Sequence, residues 1–226
     1  MGKRLLAVFA HPDDESFGPG GTLAKYAKVG VEIHVLCATK GEAGGSTGTI
    51  REKELFAASR VLGVKKVEFL DFIDGELSNN KYHQVAEKIL RKITQFKPHV
   101  IMTFEPQGVS GHLDHVAISL ITTYAFLRQN VAKKLYYYCI TKARSAKMAD
   151  YYIYFPPGYG VEEITTTIDI SPVWDTKVKA MKKHQSQIHD VERILIRFKD
   201  FPKEENFLKF SSLDKKDFKK SSGFEF

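Results

Sequence analysis

Short apolar segments alternate with amphipathic segments over the first 140 residues, and this alternation constrains the fold more than any other feature of the sequence. Five apolar segments are predicted to be strands: Leu5–Ala10, Val31–Ala38, Val67–Leu70, Val100–Phe104 and Leu135–Ile140. Strands that are apolar throughout, rather than at every second residue, belong to parallel sheets that are covered on both faces.

The segments between these strands are predicted to be helices. In one of them Val85, Ile89 and Ile93 recur at helical spacing and mark a single apolar face. Alternating strands and helices of this kind predict an α/β fold: a doubly wound, mostly parallel, Rossmann-like sheet with helices on both faces. A length of 226 residues fits one domain. The four predicted helices are Thr22–Val29, Ile50–Leu62, Tyr82–Phe96 and His115–Leu127.

The pattern changes after residue 141. Two further strands are predicted at Tyr151–Phe155 and Ile164–Ile170, and Ser171-Pro172 is a favourable helix start for a helix that runs from Val173 towards His184. Residues 1–198 are predicted to form the domain. Residues 199–226 are predicted to be a basic, phenylalanine-bearing tail that packs on the domain or on a partner subunit.

Composition and charge exclude several classes of protein. The net charge is +7, and the last fifty residues carry thirteen basic and eight acidic residues, but the acids are interleaved with the bases. This favours a solvated surface over a nucleic-acid interface. No apolar run approaches the roughly 18 residues of a membrane span, and Leu5–Ala10 is too short for the core of a signal peptide. Cys37 and Cys139 lie in apolar runs, which favours buried thiols in a reducing cytoplasm.

One histidine and three acids directly follow the first predicted strand, in the sequence His11-Pro12-Asp13-Asp14-Glu15. Ligands of open parallel sheets bind at the carboxyl ends of the strands. Neighbouring carboxylates repel one another, and a divalent cation relieves that repulsion. On the residues alone, a metal site and a surface turn with a capping aspartate remain equal alternatives.

A second cluster, Ser110-Gly111-His112-Leu113-Asp114-His115, follows the fourth predicted strand of the sequence. If a helix begins at Gly111, His112 and His115 share one face of its first turn. Taken alone, this segment is better explained by two solvent-facing histidines near a helix start than by a functional site. Because both clusters follow strands of the same predicted sheet, we expect them to converge.

The two clusters together resemble the LmbE/PIG-L family, whose members are metal-dependent deacetylases of N-acetylglucosaminyl groups. The resemblance rests on the string Ala10-His11-Pro12-Asp13-Asp14-Glu15 and on the later Gly-His-x-Asp-His segment. It extends in the family's order from Leu5 to about Gln187. Further matching segments are Thr39–Gly44, Arg51 with Glu54, Asp74–Leu77 and His184–Gln187.

The resemblance implies a role for each matching residue. His11, Asp14 and His115 are expected to bind the metal, zinc with ferrous iron as the alternative. Asp13 is the expected general base, and His112 is expected to polarise the acetyl oxygen or to protonate the leaving amine. The remaining expectations are that Asp114 orients His112 and that Arg51 and Asp74 bind the substrate.

The resemblance also implies a cytoplasmic enzyme that acts on a small N-acetylated amino sugar and forms trimers or hexamers. Some family members have a tyrosine where this chain has Ser110, so Tyr159 or another loop tyrosine would have to supply any phenol. Two alternatives remain open. In the first, the same metal site hydrolyses another amide or ester conjugate. In the second, the protein is a basic α/β binding module whose metal is structural.

Overall fold

The structure, a computed structural model, describes residues 2–210 and 222–224. The described residues contain seven strands in a single sheet. They are β1 (Arg4–Phe9), β2 (Glu32–Thr39), β3 (Lys66–Phe72), β4 (Val100–Phe104), β5 (Lys134–Cys139), β6 (Thr166–Asp169) and β7 (Glu204–Phe210).

Nine α-helices accompany the sheet in this part of the chain, and two short 3-10 turns cover Ser171–Val173 and Gln185–Gln187. The helices are α1 (Asp14–Phe17), α2 (Gly20–Lys28), α3 (Gly48–Leu62), α4 (Tyr82–Phe96), α5 (Gly108–Gly111), α6 (Leu113–Leu127), α7 (Lys142–Ala146), α8 (Trp174–Met181) and α9 (Ile188–Arg197).

The strand order is β3-β2-β1-β4-β5-β7-β6. Strands β1 to β5 are parallel, whereas β7 is antiparallel to both β5 and β6. The chain proceeds outwards from β1 to β3 and then returns to β4 on the other side of β1. Loops that follow β1 and β4 therefore diverge at a topological switch point, where α/β sheets bind their ligands.

The predicted doubly wound sheet is confirmed. Crossovers between parallel strands are almost always right-handed, so helices on the two sides of the switch point are expected on opposite faces of the sheet. Helices α2, α3 and α8 pack against one another, and α4 packs against α6. Strand β1 is buried from Leu5 to Phe9, and the predicted face of α4 (Val85, Ile89 and Ile93) is fully buried.

Three boundaries differ from the sequence prediction. Tyr151–Phe155 is not a strand, and Ile153 in it is fully exposed because no neighbouring strand pairs with this segment. The helix α8 ends at Met181, before His184. The predicted tail contains β7, which lies between β5 and β6 and buries Phe207 completely.

The sheet thus extends the domain past the predicted boundary at residue 198. The sequence of this seven-residue strand has no flanking periodicity that would predict it. Its position depends on pairing with the open edge of β5. The rest of the predicted tail lies outside the described residues, except for residues 222–224. There Phe224 stacks on Tyr136 with ring centroids 4.1 Å apart.

The structure also bears on the two cysteines and on membrane-spanning segments. Cys37 and Cys139 are both buried and unpaired, which agrees with the prediction of two core thiols. Among the described residues, no helix combines the length and the apolar character that crossing a membrane requires.

Candidate active site

The two predicted clusters converge at the switch point. His11 follows β1, and His115 lies in the first turn of α6, after β4. The Nδ1 atom of His11 is 3.1 Å from the Nε2 atom of His115. The sequence-based expectation that these segments meet is therefore correct.

Asp14 completes a triangle of ligand atoms with these two imidazoles. Its Oδ1 atom lies 3.2 Å from His115 Nε2, and its Oδ2 atom lies 3.9 Å from His11 Nδ1. Ligand atoms about 2.0–2.1 Å from a tetrahedral zinc ion stand roughly 3.3 Å from one another. The two contacts of His115 Nε2, with His11 Nδ1 at 3.1 Å and with Asp14 Oδ1 at 3.2 Å, match the spacing of ligands around a divalent cation of that size.

Neighbouring groups hold the opposite side of each imidazole. His11 Nε2 lies 2.8 Å from Asp74 Oδ1 and 3.3 Å from Asp114 Oδ2, while His115 Nδ1 lies 3.1 Å from the carbonyl oxygen of Gly108. A carboxylate or carbonyl behind a histidine fixes the tautomer and aims the other nitrogen at a metal. Both remaining nitrogens therefore face the same point.

The two oxygens of the Asp14 carboxylate also have different partners. Its Oδ2 atom accepts backbone hydrogen bonds from Ala10 at 3.1 Å and from His11 at 2.9 Å. Its Oδ1 atom faces His115 and the common point. The donor set of one carboxylate and two oriented imidazoles fits a divalent metal ion, and it leaves a fourth position for water.

The electrostatics of the cluster are those of a cation site. Burial lowers the pKa of His11, but hydrogen bonds to Asp114 and Asp74 and the charge of Asp14 outweigh it and raise that pKa to about 10. Burial raises the pKa of Asp14, but the neighbouring His115 and His11 outweigh it and hold it well below its usual range. The carboxylates around His11 thus favour positive charge at this point.

Asp13 lies beside this triangle and contacts Arg51. The Nη2 atom of Arg51 donates to Asp13 Oδ2 at 2.9 Å and to the carbonyl oxygen of Pro12 at 2.7 Å. Burial raises the pKa of Asp13 to about 7, against the lowering effect of the Arg51 guanidinium. A carboxylate with a pKa near neutrality is suited to accept and return a proton.

Arg51 is buried, and its side chain is 5% exposed. Its Nη1 atom donates to the carbonyl oxygen of Gly41 at 2.8 Å, so both ends of the guanidinium fork are occupied by the protein. These contacts fix Asp13 and the loop after β2, and the contact of Arg51 with substrate stays a prediction.

His112 lies beside the triangle as a neutral imidazole. Its Nδ1 atom accepts the backbone N–H of Asp114 at 3.1 Å, which leaves the proton on Nε2. Burial and the neighbouring His115 and His11 lower the pKa of His112 to about 4. The ligand atoms of His11, His112 and His115 also lie within 4.8 Å of one another, so His112 reaches the common point as well.

The side chain of Asp114 does not contact His112 as expected. Its two oxygens accept the backbone N–H groups of Gly75 at 2.8 Å and Leu77 at 3.2 Å and approach His11. Only the main chain of Asp114 orients His112. The reason is helical geometry, because residues two apart point in different directions from a helix.

Asp74 lies at the site, and its contact with substrate stays a prediction. Its side chain is 6% exposed and faces His11, and its Oδ2 atom accepts the backbone N–H of Ala43 at 3.0 Å. It joins the loops after β2 and β3 to the ligand cluster. The sequence placed Asp74 near the site correctly but gave no sign of this second contact.

A buried pair behind Asp13 was missed by the sequence analysis. Glu15 Oε1 lies 2.9 Å from His184 Nε2, and both side chains are almost fully buried. Glu15 Oε2 accepts the backbone N–H of Asp13 at 3.1 Å. Asp13 has a φ of 111°, a left-handed conformation that costs a non-glycine residue free energy and persists only where neighbours impose it.

The sequence left open which loop tyrosine, if any, replaces the phenol that is absent at Ser110. Tyr159 donates its hydroxyl to Glu105 Oε2 at 2.8 Å and does not line the cavity. Ser110 Oγ is 3.3 Å from His115 Nδ1. Tyr152 is the loop tyrosine beside His112, with ring centroids 5.8 Å apart.

A cavity of about 470 Å³ opens over the cluster. Its polar side is formed by the ligand cluster and Asp13, and its other side is apolar and aromatic. The apolar side is lined by Phe17, Phe104, Val109, Tyr138, Ile140, Met148, Phe155, Ile194 and Phe198.

Comparison with known proteins agrees with this arrangement. A family model described as "PIG-L: GlcNAc-PI de-N-acetylase" matches residues 6–126. The chain is 31% identical to a 1D-myo-inositol 2-acetamido-2-deoxy-alpha-D-glucopyranoside deacetylase from Actinosynnema mirum, over 82% of this chain and 81% of that protein.

Solved structures share the fold. The N,N'-diacetylchitobiose deacetylase from Pyrococcus horikoshii superimposes with a TM-score of 0.69 at 21% identity, covering 93% of this chain and 85% of its own. The 4-carboxy-2-hydroxymuconate hydratase from Pseudomonas putida gives a TM-score of 0.70 at 19% identity, covering 95% of this chain and 99% of its own. The fold thus serves more than one reaction, whereas the matched family model includes both ligand clusters, and this chain belongs to the PIG-L family.

Proposed function

We propose that this protein is a divalent-metal-dependent deacetylase that hydrolyses the acetamide of an N-acetylglucosaminyl-type substrate. The observation that carries the proposal is the convergence of His11, Asp14 and His115 on one point, with Asp13 and neutral His112 beside it. The relatives named as deacetylases support the choice of substrate class.

In this proposal His11, Asp14 and His115 hold one zinc ion, with ferrous iron as the alternative. A bound divalent cation supplies Lewis acidity, which polarises a carbonyl group and lowers the pKa of water towards neutrality. A structural zinc site is closed by four protein ligands. Three oriented ligands next to an unused acid and imidazole favour a catalytic site over a binding module with a structural metal.

Asp13 then acts as the general base. Its pKa near 7 leaves a substantial fraction of the carboxylate ionised at neutral pH, ready to take the proton from the attacking water. Arg51 holds the carboxylate through Oδ2, and Glu15 holds the backbone of Asp13. These contacts fix the direction in which the base points.

His112 serves the other end of the reaction. Because its Nδ1 accepts a backbone N–H, the Nε2–H group is the free donor. It is suited to stabilise the negative charge that develops on the acetyl oxygen, in the manner of an oxyanion-hole donor. The proton that Asp13 takes from water is the one that the departing amine requires.

Released acetate is the direct test of this function. Metal-loaded protein should release acetate and an equal amount of free amine from some member of a panel of N-acetylglucosaminyl conjugates, and chelator treatment should stop it. Simple acetate esters and acetanilides in the same panel test the alternative of another amide or ester. Absence of acetate from every N-acetylglucosaminyl conjugate would contradict the proposal.

Changing Asp74 to asparagine should weaken the metal site. The amide keeps the shape of the carboxylate but removes the charge behind His11 Nε2, and loss of such a partner typically costs about 10- to 100-fold in metal affinity or activity. Competition titration with a chelator measures the affinity. An unchanged affinity with a raised Michaelis constant would instead restore the substrate contact predicted from the sequence.

Changing Arg51 to alanine should move the acid limb of the rate profile to higher pH. The guanidinium lowers the pKa of Asp13, so its removal raises that pKa and a higher pH is needed to ionise the base. The pH dependence of kcat/KM measures the shift, and Arg51→Lys should reverse part of it. An unshifted limb with a raised Michaelis constant would assign Arg51 to the substrate.

We also retain two expectations from the sequence as proposals. The protein is proposed to work in the cytoplasm, where its two free thiols stay reduced, and as a trimer or hexamer. Sedimentation of the purified full chain at several concentrations tests the second of these.

A further inference from the structure

The cavity beside the ligand cluster is divided into two chemically different halves. The polar half carries the groups that the proposed reaction uses. The other half offers aliphatic and aromatic surface from five separate parts of the chain, contributed by α1, the end of β5, the loop after α7, α9 and the residue that follows α9. The residues concerned are Phe17, Tyr138, Ile140, Met148, Ile194 and Phe198.

A volume of about 470 Å³ lies within the range of about 300–1,000 Å³ that is typical of pockets for drug-sized ligands. Ile140 and Met148 are each only 5% exposed, so the wall is built into the domain.

Two polar side chains beside this wall already interact with other groups of the protein. Gln187 donates its amide to the carbonyl oxygen of Gly44, and the pKa of the Tyr151 hydroxyl is raised by burial and by the neighbouring Asp190. Next to Tyr152 along the chain, Ile153 and Tyr154 are 100% and 65% exposed.

From this arrangement we infer that the site selects amino-sugar substrates that carry an apolar substituent, an alkyl or acyl chain or an aromatic ring, which lies against the apolar half of the cavity. This inference rests on the proposed deacylation of an amino sugar. The substituent has two sources, the aglycone or the acyl group on nitrogen, and both present the same chemistry to the wall.

Two substrate series separate these sources. One series keeps the N-acetyl group and lengthens the glycoside from methyl to butyl to octyl glucosaminide. The other keeps the methyl glycoside and lengthens the N-acyl group from acetyl to butyryl to octanoyl. In one of the two, kcat/KM of the metal-loaded full chain should rise by roughly three- to four-fold per buried methylene, until the cavity is filled.

Two substitutions on α9 provide the matched comparison. Ile194 lines the cavity, whereas Ile196 is 68% exposed on the same helix. Ile194→Asn should flatten the increase with chain length, and Ile196→Asn should leave it as in the unmodified protein. Thermal melting of both variants checks that each remains folded.

The outcomes distinguish this inference from the function on which it rests. Turnover of the methyl glycoside with no gain in either series contradicts the apolar subsite and leaves the deacetylase intact. No turnover of any member contradicts the proposed function itself. A gain in the glycoside series supports an apolar aglycone, and a gain in the acyl series supports a longer acyl group.

Discussion

Changing Asp13 to asparagine is expected to lower kcat by two to four powers of ten and to leave the bound metal in place. Arg51 holds the Oδ2 atom of Asp13 at 2.9 Å, and Asp13 is not one of the three proposed ligands. General base catalysis typically contributes about 10²- to 10⁴-fold to an enzymatic rate. Asparagine has nearly the same shape but cannot take up a proton.

Turnover and metal content are measured on the same preparation of Asp13→Asn. Asp175→Asn provides a control, because Asp175 lies exposed on α8, away from the cavity. A rate within a few-fold of the unmodified protein would remove Asp13 from the mechanism. Loss of the metal along with the rate would make Asp13 a ligand instead.

The sequence was sufficient to predict the five parallel strands and the helices between them, but it did not predict every element of the fold. Continuous apolar runs and the helical spacing of Val85, Ile89 and Ile93 are local signals, and they led to the correct sheet and helices. Strand β7 was missed because its position is decided by the open edge of β5, which lies about 70 residues away along the chain. Tyr151–Phe155 shows the opposite error, since aromatic composition alone does not provide a partner strand.

The candidate site shows a similar division. Residue types and the carboxyl ends of two strands were enough to bring His11 and His115 together. The sequence held no information about which oxygen of each carboxylate meets which nitrogen. Asp74 and Asp114 were therefore placed near the site without their contacts to His11, because loops after three different strands meet there.

Arg51 makes contacts within the protein that its sequence context does not reveal. A lone arginine beside a glycine-rich loop is consistent with an anionic substrate, and its fork of donors suits such groups. In the folded chain the same fork is filled by Asp13 and the carbonyl oxygens of Pro12 and Gly41. That arrangement requires two loops to meet, and no local pattern predicts it.

Replacing any one of His11, Asp14 and His115 by alanine is expected to reduce metal occupancy severely and to abolish measurable turnover. Each residue contributes one of three converging ligand atoms, and two remaining ligands hold a divalent cation poorly. His112→Ala is the matched control, since it removes an imidazole from the same cavity. It should retain the metal while lowering the rate.

Metal stoichiometry tests the central claim most directly. The full chain, its three ligand variants and His112→Ala are dialysed against the same zinc buffer, and bound zinc is measured by elemental analysis. We predict about one zinc ion per chain in the unmodified protein and in His112→Ala, and far less in the His11, Asp14 and His115 variants. Full retention of zinc in all three ligand variants would contradict the account.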